Sequence, residues 1–134
     1  MKLVLDASVA IASIRPSEPA YAAARARMNR VLQGLDELVQ PSTFRVEVGG
    51  ALARLGRPHA EIRRLIDPLC AAPHAVVTVG PKASAAAEAR AIQMRLRGAD
   101  ALYVWLAAKR GLALCTLDRE MAGRAAALCN VIAP

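Results

Sequence analysis

The chain contains 134 residues, of which 55% are hydrophobic and 22% charged, and its formal net charge is +7 at neutral pH. A chain of this length is expected to form one domain, spanning residues 1–134, and to bury about two-thirds of the surface of its unfolded form. The longest apolar run, Ala101 to Ala108, is far shorter than the roughly 18 residues of a membrane span, and no secretory signal opens the sequence, so we expect a cytoplasmic protein with no membrane segment.

Short apolar runs alternate with longer helical segments along the whole chain. Strands are expected near residues 2–6, 37–40, 75–79, 112–116 and 130–132. Helices are expected at residues 8–14, 18–33, 43–55, 58–71, 82–97, 100–109 and 119–128, with glycines and prolines marking most of their ends. This alternation is typical of an α/β domain in which a central parallel sheet of four to five strands is flanked by helices.

Four acidic residues lie where a predicted strand gives way to a helix or where a helix begins. They are Asp6, Glu47, Asp100 and Asp118. Between Asp100 and Asp118 a helix ends at Gly111 and a short strand returns; at roughly 1.5 Å per helical residue and 3.3 Å per strand residue, both paths are about 15 Å long. Because the ends of parallel strands share one edge of a sheet, where ligands of open α/β sheets bind, we expect the four carboxylates to lie together.

Helix capping is the alternative explanation for three of these acids. Asp6, Asp100 and Asp118 each precede a predicted helix and could accept backbone N–H bonds, with Ser8 and Thr116 as rival caps near the first and the last. Four acids at one edge would, however, repel one another, raise their pKa values and destabilise the fold unless a cation were bound. Taken together, the four acids favour a metal site.

Glu47 is the acid that capping explains least. It lies on the border of the apolar stripe of its predicted helix. A carboxylate there must be paired, protonated or bound to a cation, because the bare charge is costly to desolvate. Arg45 and Arg54 are the candidates for pairing. Glu120, two residues beyond Asp118, could reach the rim of the same site.

The remaining polar residues exclude several classes of site. Three cysteines have no close pair and two histidines, His59 and His74, are isolated, so no disulfide framework, zinc site or Ser-His-Asp or Cys-His centre is indicated. Fifteen of the eighteen basic residues are arginine, which suits bidentate contacts with phosphate. An acidic site on a basic protein fits a polyanionic substrate, although enrichment in Arg and Ala would also follow from a GC-rich genome. Four aromatic residues are too few for a platform that stacks single-stranded bases.

Four segments that run almost from end to end carry a family resemblance. They are LVLDASVAI, PSTFRVEVGGAL, RGADALYVWLAAKRG and LCTLDREM. In these segments the chain resembles the PIN-domain ribonucleases, and especially the compact VapC-type toxins of bacterial toxin–antitoxin pairs. The resemblance implies a parallel sheet with helices on both sides. It also matches Asp6, Glu47, Asp100 and Asp118 to acids that hold one or two Mg²⁺ or Mn²⁺ ions, hard cations that prefer oxygen ligands.

The same resemblance implies a divalent-metal-dependent endoribonuclease that hydrolyses RNA phosphodiester bonds. The ions would activate a water for attack at phosphorus. Ser8 and Thr116 would be hydroxyl neighbours of the acids beside the substrate. Apart from the resemblance, Arg97, Arg119 and Arg45 are the arginines nearest in sequence to the acids and would guide the phosphate backbone. An antitoxin protein would occupy the acidic groove, and the toxin would form a homodimer.

Two other functions remain open from the sequence. A PIN-like module that binds RNA or a protein without catalysis would have no working metal site. A phosphate-handling protein of the receiver or phosphohydrolase type would need a second aspartate two residues after Asp6, where Ser8 stands, or a lysine at a later strand end. The sequence provides neither residue, which disfavours this second alternative.

Overall fold

One parallel sheet of five strands forms the centre of the computed structural model, which describes residues 1–134. The strands are β1 (Lys2–Leu5), β2 (Glu37–Pro41), β3 (Ala75–Val77), β4 (Ala113–Cys115) and β5 (Val131–Ile132). Their order across the sheet is β3-β2-β1-β4-β5, and every pair of neighbours is parallel. The predicted α/β class with a central parallel sheet is confirmed.

Seven helices flank this sheet. They are α1 (Ala7–Ala12), α2 (Tyr21–Leu32), α3 (Phe44–Arg54), α4 (His59–Leu69), α5 (Pro81–Met94), α6 (Gly98–Arg110) and α7 (Arg119–Ala125). Helix α5 packs against α6, whereas α1 packs against α2 and α3, and α3 packs against α4. None of the seven has both the length and the hydrophobicity that crossing a bilayer requires.

Strand β1 can occupy the centre of the sheet because its sequence is apolar. Leu3, Val4 and Leu5 are completely buried, as expected for a strand of a parallel sheet that is covered on both faces. On one side Leu3 is in register with Leu38 of β2, and on the other Leu5 is in register with Cys115 of β4. The end of β1 is therefore level with the end of β4.

Helix α6 has more buried residues than any other helix and contacts β1, β2 and β4. All its residues from Tyr103 to Ala107 are buried, as its continuous apolar sequence predicts. It ends at Gly111, whose φ of +62° lies in the left-handed region that glycine adopts without strain. The chain then enters β4 and returns to the level at which α6 began.

Some helix boundaries differ from the expected ones. Helix α2 begins at Tyr21 rather than at residue 18, because Pro19 disfavours helical geometry in the residue before it. Helix α7 ends at Ala125 rather than at residue 128, since the chain tightens there into a turn in which Leu128 N–H bonds to the carbonyl of Ala125 at 2.8 Å. Helix α6 begins at Gly98 rather than at residue 100, which places Asp100 inside its first turn.

Candidate metal centre

The candidate site lies at the carboxyl edge of the sheet, between the ends of β1 and β4. From β1 the chain adds β2 and β3 on one side, and β4 and β5 then form on the other side. The strand order therefore reverses between β1 and β4, which is where open α/β sheets bind ligands. Asp6 follows β1 directly, and Asp118 lies between β4 and α7.

Helices α3 and α6 bring the other two acids to the same place. Glu47 lies in the first turn of α3 and Asp100 in the first turn of α6. Asp6 and Asp100 both raise the pKa of Glu47, and Asp6 and Asp118 both raise the pKa of Asp100. The structure thus brings the four acids to one edge of the sheet, as their spacing predicts. We call these four residues the acidic edge.

Asp6 is the most buried member of the acidic edge, with 4% of its surface exposed. Its Oδ2 accepts hydrogen bonds from the hydroxyls of Ser8 and of Thr116, the latter at 2.8 Å. Burial raises the pKa of Asp6 and the charge of Asp118 adds to the rise, while the two hydroxyls oppose it. Asp6 is the N-cap residue of α1, and the backbone N–H of Ser8 also lowers its pKa, although its side chain closes no capping hydrogen bond.

Glu47 is held by a tyrosine rather than by an arginine. The phenol of Tyr103, which is completely buried in α6, donates to Oε2 of Glu47 at 2.8 Å. Neither Arg45 nor Arg54 forms an ion pair with Glu47; Arg45 binds Asp67 instead, at 2.6 Å. Burial is the main cause of the raised pKa of Glu47, with the neighbouring carboxylates adding to it.

Asp100 does not cap a helix. Residue 97 is the N-cap of α6, and Asp100 is the third residue of the helix. Burial and the charges of Asp6 and Asp118 raise its pKa, Glu120 adds to the rise, and Arg97 opposes it. Glu120 therefore lies near enough to act on the acidic edge, as its position after Asp118 suggests.

Asp118 is the one acid whose side chain forms a capping hydrogen bond. Its Oδ1 accepts the backbone N–H of Met121 at 2.9 Å and so caps α7. The backbone N–H of Asp118 in turn donates to the hydroxyl of Thr116 at 3.0 Å. Thr116 therefore joins Asp6 to Asp118 across the ends of β1 and β4.

Two arginines lie in exposed positions next to these acids in sequence. Arg97 precedes α6 and lowers the pKa of Asp100 by its charge. Arg119 begins α7 directly after Asp118. Arg45 points elsewhere because it is paired with Asp67. Of the three arginines suggested by sequence, two therefore remain candidates for contacting a ligand at the acidic edge.

The donor chemistry fits a hard divalent cation. Every candidate ligand is an oxygen, from the four carboxylates or from the hydroxyls of Ser8 and Thr116. Burial and mutual repulsion raise the pKa of three of the acids, and a bound cation would relieve both penalties. No three acidic, histidine or cysteine side chains lie close enough together to hold one ion in this structure. The fit thus rests on donor type and charge.

Two residues that contact this region carry no obvious sequence signal. Tyr103 stands in an apolar helix, where it resembles a core residue; the only hint is that a buried phenol needs a hydrogen-bond partner. Gln40 is the only polar residue in the buried part of β2, and its amide bonds to the backbone of Leu5, next to Asp6. A lone polar residue in an apolar strand is the signal that could have identified it.

Two solved structures are similar to this chain over nearly its whole length. PAE2754 from Pyrobaculum aerophilum is 26% identical, with a TM-score of 0.69, and the match covers 99% of this chain and 92% of that one. VapBC2 from Rickettsia felis, solved bound to a DNA fragment from its promoter, is 10% identical with a TM-score of 0.70 and coverages of 99% and 98%. At that identity the second likeness concerns the fold alone. A comparison with curated protein sequences gives no match.

The model of the PIN domain family matches residues 3–127, which is most of the chain. The matched range contains all four acids of the acidic edge and the strands β1 to β4, apart from the first residue of β1. Strand β5 lies beyond it. The protein therefore belongs to the PIN domain family.

Proposed function

We propose that this PIN-domain protein is a divalent-metal-dependent endoribonuclease and the toxin of a toxin–antitoxin pair. The observation that carries the proposal is the acidic edge, where four distant segments place carboxylates and where burial, together with the neighbouring carboxylates, raises the pKa of Asp6, Glu47 and Asp100. PIN domains are generally nucleases, and carboxylate-held cations are a common means of phosphodiester hydrolysis. Charge repulsion of this kind is retained in proteins mainly where it serves a function.

The four acids would hold Mg²⁺ or Mn²⁺, which supplies positive charge at the reacting phosphate and acidifies water there. Ser8 and Thr116 fix Oδ2 of Asp6, so that Oδ1 has no hydroxyl partner. Tyr103 fixes Oε2 of Glu47 in the same way. These contacts orient carboxylates before a ligand arrives, which reduces the entropy lost on binding. In this proposal the hydroxyls act on the substrate through Asp6.

The charge of the protein supports a polyanionic substrate. The chain carries a formal charge of +7, yet the acidic edge is negative, so cations at the edge and arginines around it would have to act together on a phosphate. Arg97 and Arg119 are exposed next to the acids and are the residues proposed to guide the RNA backbone. Cleavage should accordingly weaken as the salt concentration rises.

The toxin assignment rests on the family resemblance and on the fold shared with VapBC2. In this proposal the protein is cytoplasmic, forms a homodimer and binds a cognate antitoxin protein that covers the acidic edge. Co-expression with the neighbouring open reading frame tests the antitoxin. Recovery of a stable complex that no longer cleaves RNA is expected, whereas a neighbour that neither binds nor inhibits would contradict the toxin role.

Substitution of the acids tests the catalytic role. Asp6→Asn and Asp100→Asn should each abolish divalent-dependent RNA cleavage while leaving the circular dichroism spectrum of a folded protein. Asp67→Asn is the matched control, because Asp67 pairs with Arg45 and Arg63 instead of joining the acidic edge. The control should cleave as the parent does. Parent-like cleavage by either acidic-edge variant would contradict the proposal.

A non-catalytic module that binds RNA or protein is the second candidate, since a fold does not by itself imply activity. It is favoured by the absence of a closed ligand set among the acids. Titration calorimetry with Mn²⁺ separates the two functions. An enzyme should bind Mn²⁺ and lose that binding in Asp6→Asn, whereas a module should show no binding that depends on the carboxylates.

A further inference from the structure

The backbone ladder between β1 and β2 is interrupted just before Asp6. Glu37 N–H donates to the carbonyl of Met1 at 2.8 Å, and in a parallel ladder every second residue of one strand donates to its neighbour. The paired register ends at Leu3 and Leu38. Continued by two residues, it would give the carbonyl of Leu5 the N–H of residue 41 and would give the N–H of Leu5 the carbonyl of Val39. Residue 41 is Pro41, which has no N–H. A continued ladder would therefore lack a donor for the carbonyl of Leu5, the last residue of β1.

The side chain of Gln40 supplies the missing donor. Its Nε2 donates to the carbonyl of Leu5 at 2.9 Å, and its Oε1 accepts the N–H of Leu5 at 3.3 Å. Because the Leu5 N–H only donates and its carbonyl only accepts, the orientation of the amide is determined. Gln40 is completely buried, so no solvent could replace these bonds. Its primary amide takes the place of a backbone peptide.

These bonds act on the peptide unit that carries Asp6. The carbonyl of Leu5 and the N–H of Asp6 belong to one planar group. Gln40 holds the carbonyl, and the carbonyl of Cys115 in β4 accepts the N–H of Asp6 at 2.9 Å. With both ends of the plane fixed, the direction in which the Asp6 side chain leaves the backbone is fixed as well. Ser8 and Thr116 then orient the carboxylate itself.

We propose that Gln40 is a positioning residue of the acidic edge, which holds Asp6 in place for ligand binding through the Leu5–Asp6 peptide. The part that concerns metal rests on the proposed function. Gln40 touches neither substrate nor cation; it acts through the backbone. A glutamine that only satisfied buried polar groups would contribute to stability without altering the affinity of the site.

Calorimetry with Mn²⁺ distinguishes positioning from plain stabilisation. Gln40→Met keeps a similar volume but cannot bond to Leu5, and the Kd for Mn²⁺ should rise by about tenfold, as is usual when a residue that orients a ligand is lost. Leu69→Ala is the control. Leu69 is fully buried and is the last residue of α4, from which the chain goes on to the start of β3 at the amino edge of the sheet. Its truncation should destabilise the protein without changing the Kd for Mn²⁺. A parent-like Kd in Gln40→Met, or an equal loss in Leu69→Ala, would overturn the proposal.

A double variant tests the donor argument directly. Adding Pro41→Ala to Gln40→Met returns a backbone N–H at the position that the ladder requires, so much of the lost affinity should be recovered. The double variant also serves if Gln40→Met alone does not fold. If the double variant folds and its Kd for Mn²⁺ is as far above that of the parent as the roughly tenfold rise expected for Gln40→Met, the donor argument is wrong.

Measurements on the metal-free protein separate this inference from the proposed function. If the parent binds no Mn²⁺, or Asp6→Asn binds it equally well, the proposed function fails. Amide hydrogen exchange and the carboxyl ¹³C signal of Asp6 then decide the positioning role. In Gln40→Met the amides of Leu5 and Asp6 should exchange faster relative to that of Leu3, and the Asp6 carboxyl signal should shift. Unchanged exchange and an unchanged signal would overturn the inference.

Discussion

At the scale of single residues, the four carboxylates of the acidic edge differ in what holds them. Asp6 accepts two hydroxyl groups, Glu47 a phenol, and Asp118 a backbone N–H, whereas the pKa of Asp100 responds only to burial and to neighbouring charges. A carboxylate with a fixed donor is already oriented, and one without is free to adjust. Asp100 is therefore the member best able to adapt its position to a ligand.

Replacing Asp100 with Asn should stabilise the metal-free protein while abolishing its response to Mn²⁺. Burial and repulsion raise the pKa of Asp100, so its ionised form disfavours folding. The gain should be about 0.5 kcal/mol, small because the residue is half-exposed and solvent screens its charge. The penalty exists only where the carboxyl is ionised, so the gain should disappear below about pH 4. Urea unfolding with EDTA at pH 3.5 and 7.5 measures it; a less stable variant at pH 7.5 would contradict this account.

Replacing Tyr103 with Phe should weaken the acidic edge without removing any of its acids. The lost hydrogen bond to Glu47 should lower the free energy of unfolding by about 1 kcal/mol and the affinity for Mn²⁺ by about tenfold. Tyr21→Phe on α2 removes a phenol that donates to no acid and serves as the control. Urea unfolding and calorimetry give the two quantities. Equal Mn²⁺ affinity in both variants would show that Tyr103 does not position Glu47.

At the scale of elements, α3 combines a functional position with a weak helical sequence. It carries Glu47 in its first turn and two glycines, Gly49 and Gly50, in its middle. A methyl group on Gly49 would meet Ile66 Cδ1 at 3.5 Å, and one on Gly50 would meet only the end of the Arg54 side chain at 3.8 Å. Both distances are ordinary contacts, so close approach by a neighbour does not require glycine at either position.

Gly50→Ala should therefore raise the free energy of unfolding by about 1 kcal/mol, because alanine is the better helix former and has room. Gly111→Ala is the matched control, for which the opposite effect on stability is expected. There φ is +62°, and a side chain is strained although nothing lies within 4 Å, so that variant should lose about 1 kcal/mol. Urea unfolding of both gives the comparison. A destabilised Gly50→Ala would mean that α3 needs its glycines for a reason that packing does not reveal.

At the scale of the whole molecule, the two edges of the sheet differ in whether their carboxylates are paired with cations. At the carboxyl edge, carboxylates repel one another. At the amino edge, Asp36 is buried before β2 and bonded by Arg27 and by both Nε and Nη2 of Arg30, which lower its pKa. The ion-paired edge contributes stability above the ordinary pKa of Asp and loses it in acid. The molecule thus separates its stabilising charges from those available to a ligand.

The stability of the whole chain should also fall between pH 7.5 and pH 5.5 because of His74 near the amino edge. Burial lowers the pKa of His74, and its Nδ1 accepts the N–H of Leu38, a bond that the protonated ring cannot make. The contribution is complete above the ordinary histidine pKa of about 6.5 and is lost as the pH falls below it. His74→Gln should flatten this slope in urea unfolding, and His59→Gln should not. An unchanged slope in His74→Gln would exclude the mechanism.

Much of the architecture follows from local sequence. The apolar run of β1, the stop at Gly111 and the lengths of α6 and β4 are sufficient to predict a parallel sheet with Asp6, Asp100 and Asp118 at one edge. These features are predictable because periodicity and chain geometry are local. The capping explanation for Asp100 is wrong because α6 starts two residues earlier, at Gly98, where no side chain marks the helix start.

The contacts that hold the acids are less predictable from sequence. Tyr103 and Gln40 act on residues 56 and 35 positions away, respectively, and such pairings depend on how helices and strands pack. An arginine is the obvious sequence partner for Glu47, yet Arg45 donates to Asp67 on α4 instead. The acids can thus be found from sequence, whereas their supporting contacts require the fold.

Asp118 has two roles, helix capping and the proposed binding of a cation, and the two are thermodynamically linked. Its Oδ1 caps α7 by accepting the N–H of Met121, so a ligand that displaces this N–H also releases the first turn of the helix. By linkage, the ordered and the frayed first turn differ in ligand affinity by the same factor by which the ligand shifts the equilibrium between them. A change that loosens the start of α7, such as loss of the ion pair between Arg124 and Glu120, should therefore change the ligand affinity as well. The last helix of the chain is therefore a reporter of occupancy as well as a part of the fold.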